Sequence, residues 1–130
     1  IDFTYADLSV RLVTQDTHRF LRRETYNYKD CYVVESLPRD ERYPYSKRVI
    51  WIWKDRELPI KVEHYDREAK LHKTLFHHYW TEVQGVWFPR HSLLKDHERK
   101  HMTILFVNTV QYNTGLHDTI FVPASLGNMR

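Results

Sequence analysis

Residues 46–66 (SKRVIWIWKDRELPIKVEHYD) contain a strand pattern that is apolar on both sides. Because successive side chains of a strand alternate between its two faces, Val49, Trp51 and Trp53 share one side. Ile50 and Ile52 share the other side, and charged residues flank this apolar centre. The pattern predicts a strand that needs a dry surface on each face.

Polar turns divide the rest of the chain into further strands. Residues 18–28 and 31–37 flank the polar turn 27–30, which predicts a hairpin. The other predicted strands are residues 60–66, 71–80, 86–94 and 101–112. Turns recur about every ten to fifteen residues, which leaves no room for crossover helices. The strands are therefore expected to run antiparallel, as a meander.

Finer assignments follow from the same pattern. The first strand is predicted to place four side chains on one side: Phe20, Arg22, Glu24 and Tyr26. Short terminal helices are predicted over residues 3–12, with Thr4 as the N-cap, and over residues 118–126, beginning at Asp118. The predicted fold class is mostly β, an antiparallel sheet with short terminal helices.

Composition agrees with a strand-rich domain and argues against nucleic-acid binding and against a membrane-spanning helix. A chain of 130 residues suits one domain with a real core, and its 15% aromatic residues are of types enriched in strands. The formal net charge is +3, but charges alternate in sign, as in residues 39–42 (RDER) and 95–100 (KDHERK). Nucleic-acid binding needs a concentrated basic stripe, so we predict a solvated surface and no nucleic-acid partner. No apolar run approaches the roughly 18 residues of a membrane helix.

Motifs for catalysis are missing. The three glycines form no phosphate-binding loop, no nucleophile elbow surrounds a serine, and the lone Cys31 has no activating base in evidence. Carboxylates of the kind usually solvated are scattered through turns and outer strand positions: Asp30, Glu35, Glu63 and Asp66. We predict that the protein is not an enzyme.

Histidine is abundant, with nine residues, and raises the question of a metal site. Residues 97–101 (HERKH) carry two histidines four apart, a spacing that suits zinc on a helix, but they lie in a predicted turn. His77 and His78 are expected to point to opposite faces of one strand, so they are not expected to join one site. We predict no metal and no cofactor.

Six short blocks occur along the chain in a characteristic order: 31–35 (CYVVE), 45–52 (YSKRVIWI), 58–66 (LPIKVEHYD), 71–75 (LHKTL), 85–89 (GVWFP) and 104–121 (ILFVNTVQYNTGLHDTIF). In this order the blocks resemble the C-terminal half of the bacterial outer-membrane lipoprotein-sorting proteins, the LolA-like carriers. The likeness runs over nearly all of the chain from Thr17 onward. Each block alone is weak, so the specificity lies in their order.

The resemblance implies a curved antiparallel sheet, an unclosed half-barrel, whose concave side holds hydrophobic cargo beneath helices. It implies a non-catalytic periplasmic carrier of lipoprotein acyl chains or other lipids. A strand with two apolar faces then has a core on one side and an oily ligand or a lid on the other. The residues expected to line the groove are Val49, Trp51, Trp53, Val62, Leu75, Phe88, Leu105 and Val107.

The resemblance also implies what lies outside the chain. LolA-like proteins have a secretion leader, a helix and further strands before this region, so residues 1–130 are expected to form a single region, the C-terminal half of a longer domain. Unpaired sheet edges and an exposed apolar face predict a homodimer. An alternative function is a docking or adaptor module for a membrane lipid-transport complex, in which arginines bind an acidic transporter, receptor or lipid headgroup.

Overall fold

A computed structural model of the chain describes the backbone of residues 16–113 and 116–128 and the side chains of residues 16–106. These residues form eight strands: β1 (Asp16–Tyr26), β2 (Lys29–Pro38), β3 (Lys47–Trp53), β4 (Leu58–Tyr65), β5 (Leu71–Val83), β6 (Val86–Asp96), β7 (His101–Asn113) and β8 (Leu116–Asn128). Each strand pairs antiparallel with the next, in sequence order. No pairing of described residues joins β1 to β8, so the sheet is not closed into a barrel. The predicted antiparallel meander is confirmed.

One of the two predicted terminal helices is wrong. Residues 118–126 lie within β8, which pairs with β7 along most of its length. Pro123 sits opposite Leu105 in this pairing, and an edge strand tolerates proline because one side of its backbone makes no ladder hydrogen bonds. Pairing with β7 therefore outweighs the weak capping signal at Asp118. The helix predicted over residues 3–12 lies outside the described residues.

Tight hairpin turns use residues with left-handed backbone angles. Asn27 and Tyr28 have φ values of 50° and 62°, and they connect β1 directly to β2. Gln84 and Gly85, at 52° and 81°, do the same between β5 and β6. Two consecutive residues with positive φ give a turn whose twist matches that of paired strands, which explains these short connections.

A bulge in β1 changes the predicted facing of its side chains. The pairing with β2 shifts register between Phe20 and Arg22, so that Phe20 lies opposite Val34 and Arg22 opposite Val33. Because Val33 and Val34 point to opposite faces, Phe20 and Arg22 do so as well. The prediction that Phe20 shares one side with Arg22, Glu24 and Tyr26 is wrong for Phe20, whose ring contacts Tyr32 instead.

Two apolar clusters occupy opposite faces of the sheet. We call the first the aliphatic row; its members lie on β3 to β7 and are Ile50, Val62, Leu75, Leu94 and Leu105. We call the second the aromatic cluster; its buried members are Cys31, Val33, Val49, Trp51 and Ile60, flanked by Leu21, Tyr26, Trp53, Tyr65 and Trp80. β3 contributes to both clusters, which accounts for its two apolar sides. The described residues include no helix long and apolar enough to cross a membrane.

Candidate functional site

The aliphatic row crosses the middle of the sheet perpendicular to its strands. Ile50 lies opposite Val62, Val62 opposite Leu75, and Leu75 opposite Leu94. Leu105 extends the row onto β7, where it packs with the same cluster. At a strand spacing of about 4.8 Å, the row spans about 19 Å from β3 to β7. Leu94 near its centre is 0% exposed. The row is thus a continuous dry stripe.

Polar groups on the same face form a second row beside the aliphatic row, towards one end of the strands. The Arg48 guanidinium forms an ion pair with Asp16 at 2.8 Å, and the Asp16 side chain is only 1% exposed. His64 and Lys73 are cross-strand partners, and both are buried. Because buried charge is tolerated only where it is paired, the Arg48–Asp16 bond allows this end to carry ions. The charged groups on this face therefore lie two residues along the strands from the aliphatic row, and not within it.

Asp96 ends β6 at the same end of the sheet. Its Oδ1 accepts hydrogen bonds from the backbone N–H groups of Glu98 and Arg99, at 3.1 and 3.0 Å. His72 Nε2 lies 3.6 Å from the same oxygen. Residues 97–100 form the turn that the sequence predicted, so the two histidines of HERKH do not share a helix face. The buried Asp96 carboxylate therefore shapes a turn.

A neutral histidine marks the other end of the same face. Nδ1 of His77 and Oγ of Ser92 are hydrogen-bonded at 2.8 Å across β5 and β6. Burial lowers the pKa of His77 to about 4, because the charged imidazolium loses its hydration. His77 is therefore uncharged near neutral pH, and this end of the face contributes hydrogen bonding without charge.

Cationic side chains cover the aromatic cluster on the opposite face. The Lys61 ammonium stands 4.3 Å from the ring centre of Trp51 and 5.3 Å from that of Tyr26. Lys47 stands 4.6 Å from the ring of Tyr65. An ammonium group in this position is attracted by the negative face of the aromatic ring. The aromatic cluster therefore lies beneath ammonium groups, whereas the aliphatic row consists of aliphatic side chains alone.

The predicted groove residues do not lie on a single face. Val62, Leu75 and Leu105 come together in the aliphatic row, whereas Val49 and Trp51 belong to the aromatic cluster, with Trp53 packed against them. Phe88 is buried and lies opposite Thr81. Val107, in β7, pairs with Phe121 of β8, and the side chain of Val107 lies outside the described residues. The eight predicted groove residues therefore include members of both faces of the sheet.

Sequence reasoning missed two members of the row. Leu94 is the most buried of its members, and it is three steps of two beyond Phe88 in the same strand. Ile50 lies opposite Val62, which was predicted. Alternation alone could have found Leu94 from Phe88. Finding Ile50 requires the register between β3 and β4, which no local pattern provides.

The sequence predicts that His77 and His78 point to opposite faces of one strand and do not join one metal site. Both line a cavity of about 260 Å³ together with Trp80. Tyr79, which follows them, has a φ of 55°, so the regular alternation of side chains is interrupted between His78 and Trp80. Within residues whose side chains are described, however, no group of three or more His, Cys, Asp or Glu is arranged to hold a metal ion.

Cys31 has the environment of a structural residue. It is fully buried in the aromatic cluster, and its Sγ lies 3.5 Å from the carbonyl oxygen of Lys29. Burial raises the pKa of the thiol, because a thiolate would lose its hydration. The nucleophilic form is therefore disfavoured, and the side chain acts as a small apolar group.

Comparison with known proteins supplies relatives for the whole region. A family model described as "Uncharacterized protein" matches residues 1–128. A crystal structure described as an outer membrane lipoprotein-sorting protein domain, from Vibrio parahaemolyticus, has a TM-score of 0.82 and 31% identity, over 88% of this chain and 49% of that one. A search of curated proteins found no match.

Two further crystal structures share the fold at lower identity. A DUF1329 family protein from Desulfovibrio piger has a TM-score of 0.81 at 24% identity, over 88% of this chain and 49% of that one. A LolA superfamily protein from Nitrosomonas europaea has a TM-score of 0.61 at 19% identity, over 91% of this chain and 46% of that one. The chain therefore spans about half the length of each of these three structures.

Proposed function

The chain belongs to a LolA-like family, and on this premise we propose that it is a non-catalytic periplasmic carrier of lipoprotein acyl chains or other lipids. The observation that carries the proposal is the aliphatic row. It offers a stripe of side chains without hydrogen-bonding groups, running across five strands of an open sheet. Such a surface favours a long apolar group and does not require polar atoms at particular positions. An acyl chain is a group of this kind.

The energetics favour the row over the aromatic face. Each methylene of a buried acyl chain contributes about 0.8 kcal/mol, so a few groups along a stripe of about 19 Å give useful affinity. On the aromatic face, a lipid would have to displace or dehydrate Lys47 and Lys61, which stand over Tyr65 and Trp51. Removing ammonium groups from water opposes binding there.

A carrier must also protect its surface when it is empty. Val62, Leu75, Leu94 and Leu105 are each 6% exposed or less, so the row is shielded from water as the structure stands. Loading therefore requires the row to open, and the cargo then replaces the contacts that shield it. The affinity measured for cargo is the contact energy of the row less the free energy of opening.

The test uses a fluorescent acyl probe, displaced by phospholipid, with the full chain and two matched variants. Ile50→Asn places an amide in the row, whereas Ile52→Asn makes the same change two residues along β3, outside the cluster. We expect Ile50→Asn to weaken probe binding about tenfold or more, which corresponds to about 1.4 kcal/mol. Ile52→Asn should bind within about threefold of the unchanged protein.

Two outcomes oppose the carrier function. If the folded chain takes up no probe but binds anionic vesicles in a salt-sensitive manner, the protein is a docking module for a membrane partner. If both asparagine variants bind the probe as well as the unchanged chain, the cargo lies on another surface. Cooperative urea unfolding of each variant checks that the fold is retained.

A further inference from the structure

The apolar line of the aliphatic row continues beyond β3 to the edge of the sheet. Ile50 lies opposite Val34 in β2, and Val34 lies opposite Phe20 in β1. Residues directly opposite each other on paired strands point to the same face, so Val34 and Phe20 extend the line by two strands. We call these two residues the edge pair. At about 4.8 Å per strand, they lengthen the line from about 19 Å to about 29 Å.

The edge pair depends on the bulge in β1. The register shift between Phe20 and Arg22 puts these two side chains on opposite faces. In a regular strand, residues two positions apart share a face, so Phe20 would point with Arg22 to the side of the aromatic cluster. Arg22 does lie on that side, opposite Val33. The bulge therefore places an aromatic ring in line with the aliphatic row.

Exposure to solvent falls along the line from the edge inward. Phe20 is 58% exposed and Val34 is half-buried. Further in, the exposed fraction falls to 6% at Val62 and to 0% at Leu94. At the other end, on β7, Leu105 is 3% exposed. Among the side chains that the structure describes, the line is therefore open to water at β1 and shielded at β7.

One long side of the row is unsuited to the passage of an apolar chain. Arg48, His64 and Lys73 belong to the polar row along that side. A chain that crossed there would bring methylene groups against charged side chains, which opposes its passage. Passage from the edge, over Phe20 and Val34, meets apolar side chains. The edge pair is therefore the better route to the buried part of the row.

The length of the buried part suits one acyl chain. The hydrocarbon core of a bilayer is about 30 Å thick and two chains deep, so one chain spans about 15 Å. The stripe of about 19 Å from β3 to β7 has room for a chain of this length. A polar head loses its hydration in a dry stripe and is therefore expected to stay at the exposed end.

From this geometry we propose that the acyl chain of the cargo enters the row end-on from β1, with its methyl end first. The edge pair then contacts the part of the acyl chain nearest to the polar head. This inference rests on the carrier function proposed above, and it assigns Phe20 and Val34 to the loading route. The bulge in β1 makes the route possible, because it turns the ring of Phe20 to the face of the row.

Two photoreactive palmitic acids test the direction. One carries a diazirine near the methyl end and the other near the carboxyl group. Each is irradiated with the full chain, and the labelled residues are identified by mass spectrometry. We expect the methyl-end probe to label β5 and β6, at Leu75 or Leu94, and the carboxyl-end probe to label the edge pair.

The labelling pattern separates failure of the route from failure of the carrier function. A reversed pattern, or a carboxyl-end label confined to β3–β7, would overturn loading from β1 and leave the carrier function in place. Labelling of neither the row nor the edge pair would contradict both.

Association kinetics test Phe20. Phe20→Ser removes the exposed ring, and Tyr28→Ser, at a turn position that is 100% exposed, is the matched control. Stopped-flow mixing with the fluorescent acyl probe is done at a concentration at which all three proteins sediment in the same state. Phe20→Ser should slow association about threefold or more, because it removes a contact made during loading, and Tyr28→Ser should leave the rate unchanged.

Val34→Asn places an amide next to the row and should weaken probe binding about tenfold. Cooperative urea unfolding of each variant checks that the fold is retained. If Phe20→Ser changes the sedimentation of the protein but not its rate of association with the probe, Phe20 belongs to an interface between two copies of the chain and the loading route is wrong.

Discussion

Trp51 Nε1–H donates a hydrogen bond of 2.8 Å to Glu24 Oε2 and so joins two strands that are not neighbours in the sheet. The bond passes over β2, which lies between β1 and β3. Arg22 completes the group, because its Nε lies 3.0 Å from Glu24 Oε1 and its guanidinium carbon stands 5.9 Å from the ring centre of Trp51. The edge strand is thereby tied to the interior of the sheet.

This bond predicts a component of acid sensitivity. The hydrogen bond from Trp51, and after it the bond from Arg22, holds the pKa of Glu24 below its ordinary value of 4.5. A carboxyl group with a lowered folded pKa stabilises the fold above its unfolded pKa, and this contribution is lost as pH falls through the folded value. Urea unfolding of Glu24→Gln should therefore show a weaker loss of stability below pH 4.5 than the unchanged chain.

The control for this prediction is Glu41→Gln, in the exposed loop before β3. It should leave the acid limb of the stability curve unchanged. Parallel acid limbs for Glu24→Gln and the unchanged chain would show that the bond to Trp51 does not stabilise the charged form.

His77 predicts a second loss of stability, at higher pH. Its folded pKa is about 4, against 6.5 for the unfolded group, so the unfolded chain binds the proton first as pH falls. The fold loses stability from about pH 6.5 down to about pH 4. Between pH 7.5 and pH 5 this amounts to about 2 kcal/mol. His77→Asn keeps a hydrogen-bonding group beside Ser92 but cannot titrate, so its unfolding free energy should fall by about 2 kcal/mol less over that interval.

A matched change at His101, at the start of β7, controls for the general effect of removing a histidine. His101→Asn should follow the unchanged chain more closely than His77→Asn does. If all three proteins lose the same stability between pH 7.5 and pH 5, His77 is not buried in its neutral form.

Leu94 predicts the largest stability effect in the aliphatic row. It is fully buried between Leu75 and Thr103, its cross-strand partners. Leu94→Ala should lower the free energy of unfolding by about 2–5 kcal/mol, because it removes buried methyl groups and leaves a cavity. Leu93→Ala makes the same change at the next, half-buried position and should cost clearly less. Equal losses in urea unfolding would contradict the assignment of Leu94 to the core.

The edge of β1 supports our proposal of a homodimer. Among the residues that the structure describes, β1 ends the sheet with one side unpaired, and Phe20 on this strand is 58% exposed. Exposed strand edges with apolar side chains favour pairing with a second chain, and a lysine on the edge opposes it. Sedimentation should show a concentration-dependent dimer that Phe20→Lys shifts toward monomer. Tyr28→Lys, at the turn, should not; a clean monomer of the unchanged chain at high concentration would contradict the dimer.

The sheet could be predicted because its signals are local. Polar turns and period-two alternation identify the hairpin of β1 and β2 and the strands that follow. The errors arose where backbone geometry departs from a regular strand. The bulge beside Phe20 reversed one side chain, and the left-handed Tyr79 interrupts the alternation between His78 and Trp80. Neither position carries glycine, the residue type that usually indicates such backbone geometry, so the sequence pattern did not predict either departure.

The candidate site was only half predictable for a related reason. Periodicity assigns neighbours within one strand to opposite faces, but it does not say which face of the next strand continues a surface. Val62 and Leu75 were grouped with Trp51, although cross-strand register places them on opposite faces of the sheet. The resemblance to LolA-like proteins implied an apolar groove, and only the register shows which apolar residues lie side by side.

The strict succession of strands also bears on how the chain reaches its fold. Since every strand pairs with its neighbour in sequence, the sheet can be assembled hairpin by hairpin without closing a long loop. The β1–β2 hairpin can therefore form while later strands are still being synthesised, and each new strand finds a template already in place. An unclosed meander of this kind should fold faster than a sheet of the same size that pairs its first strand with its last.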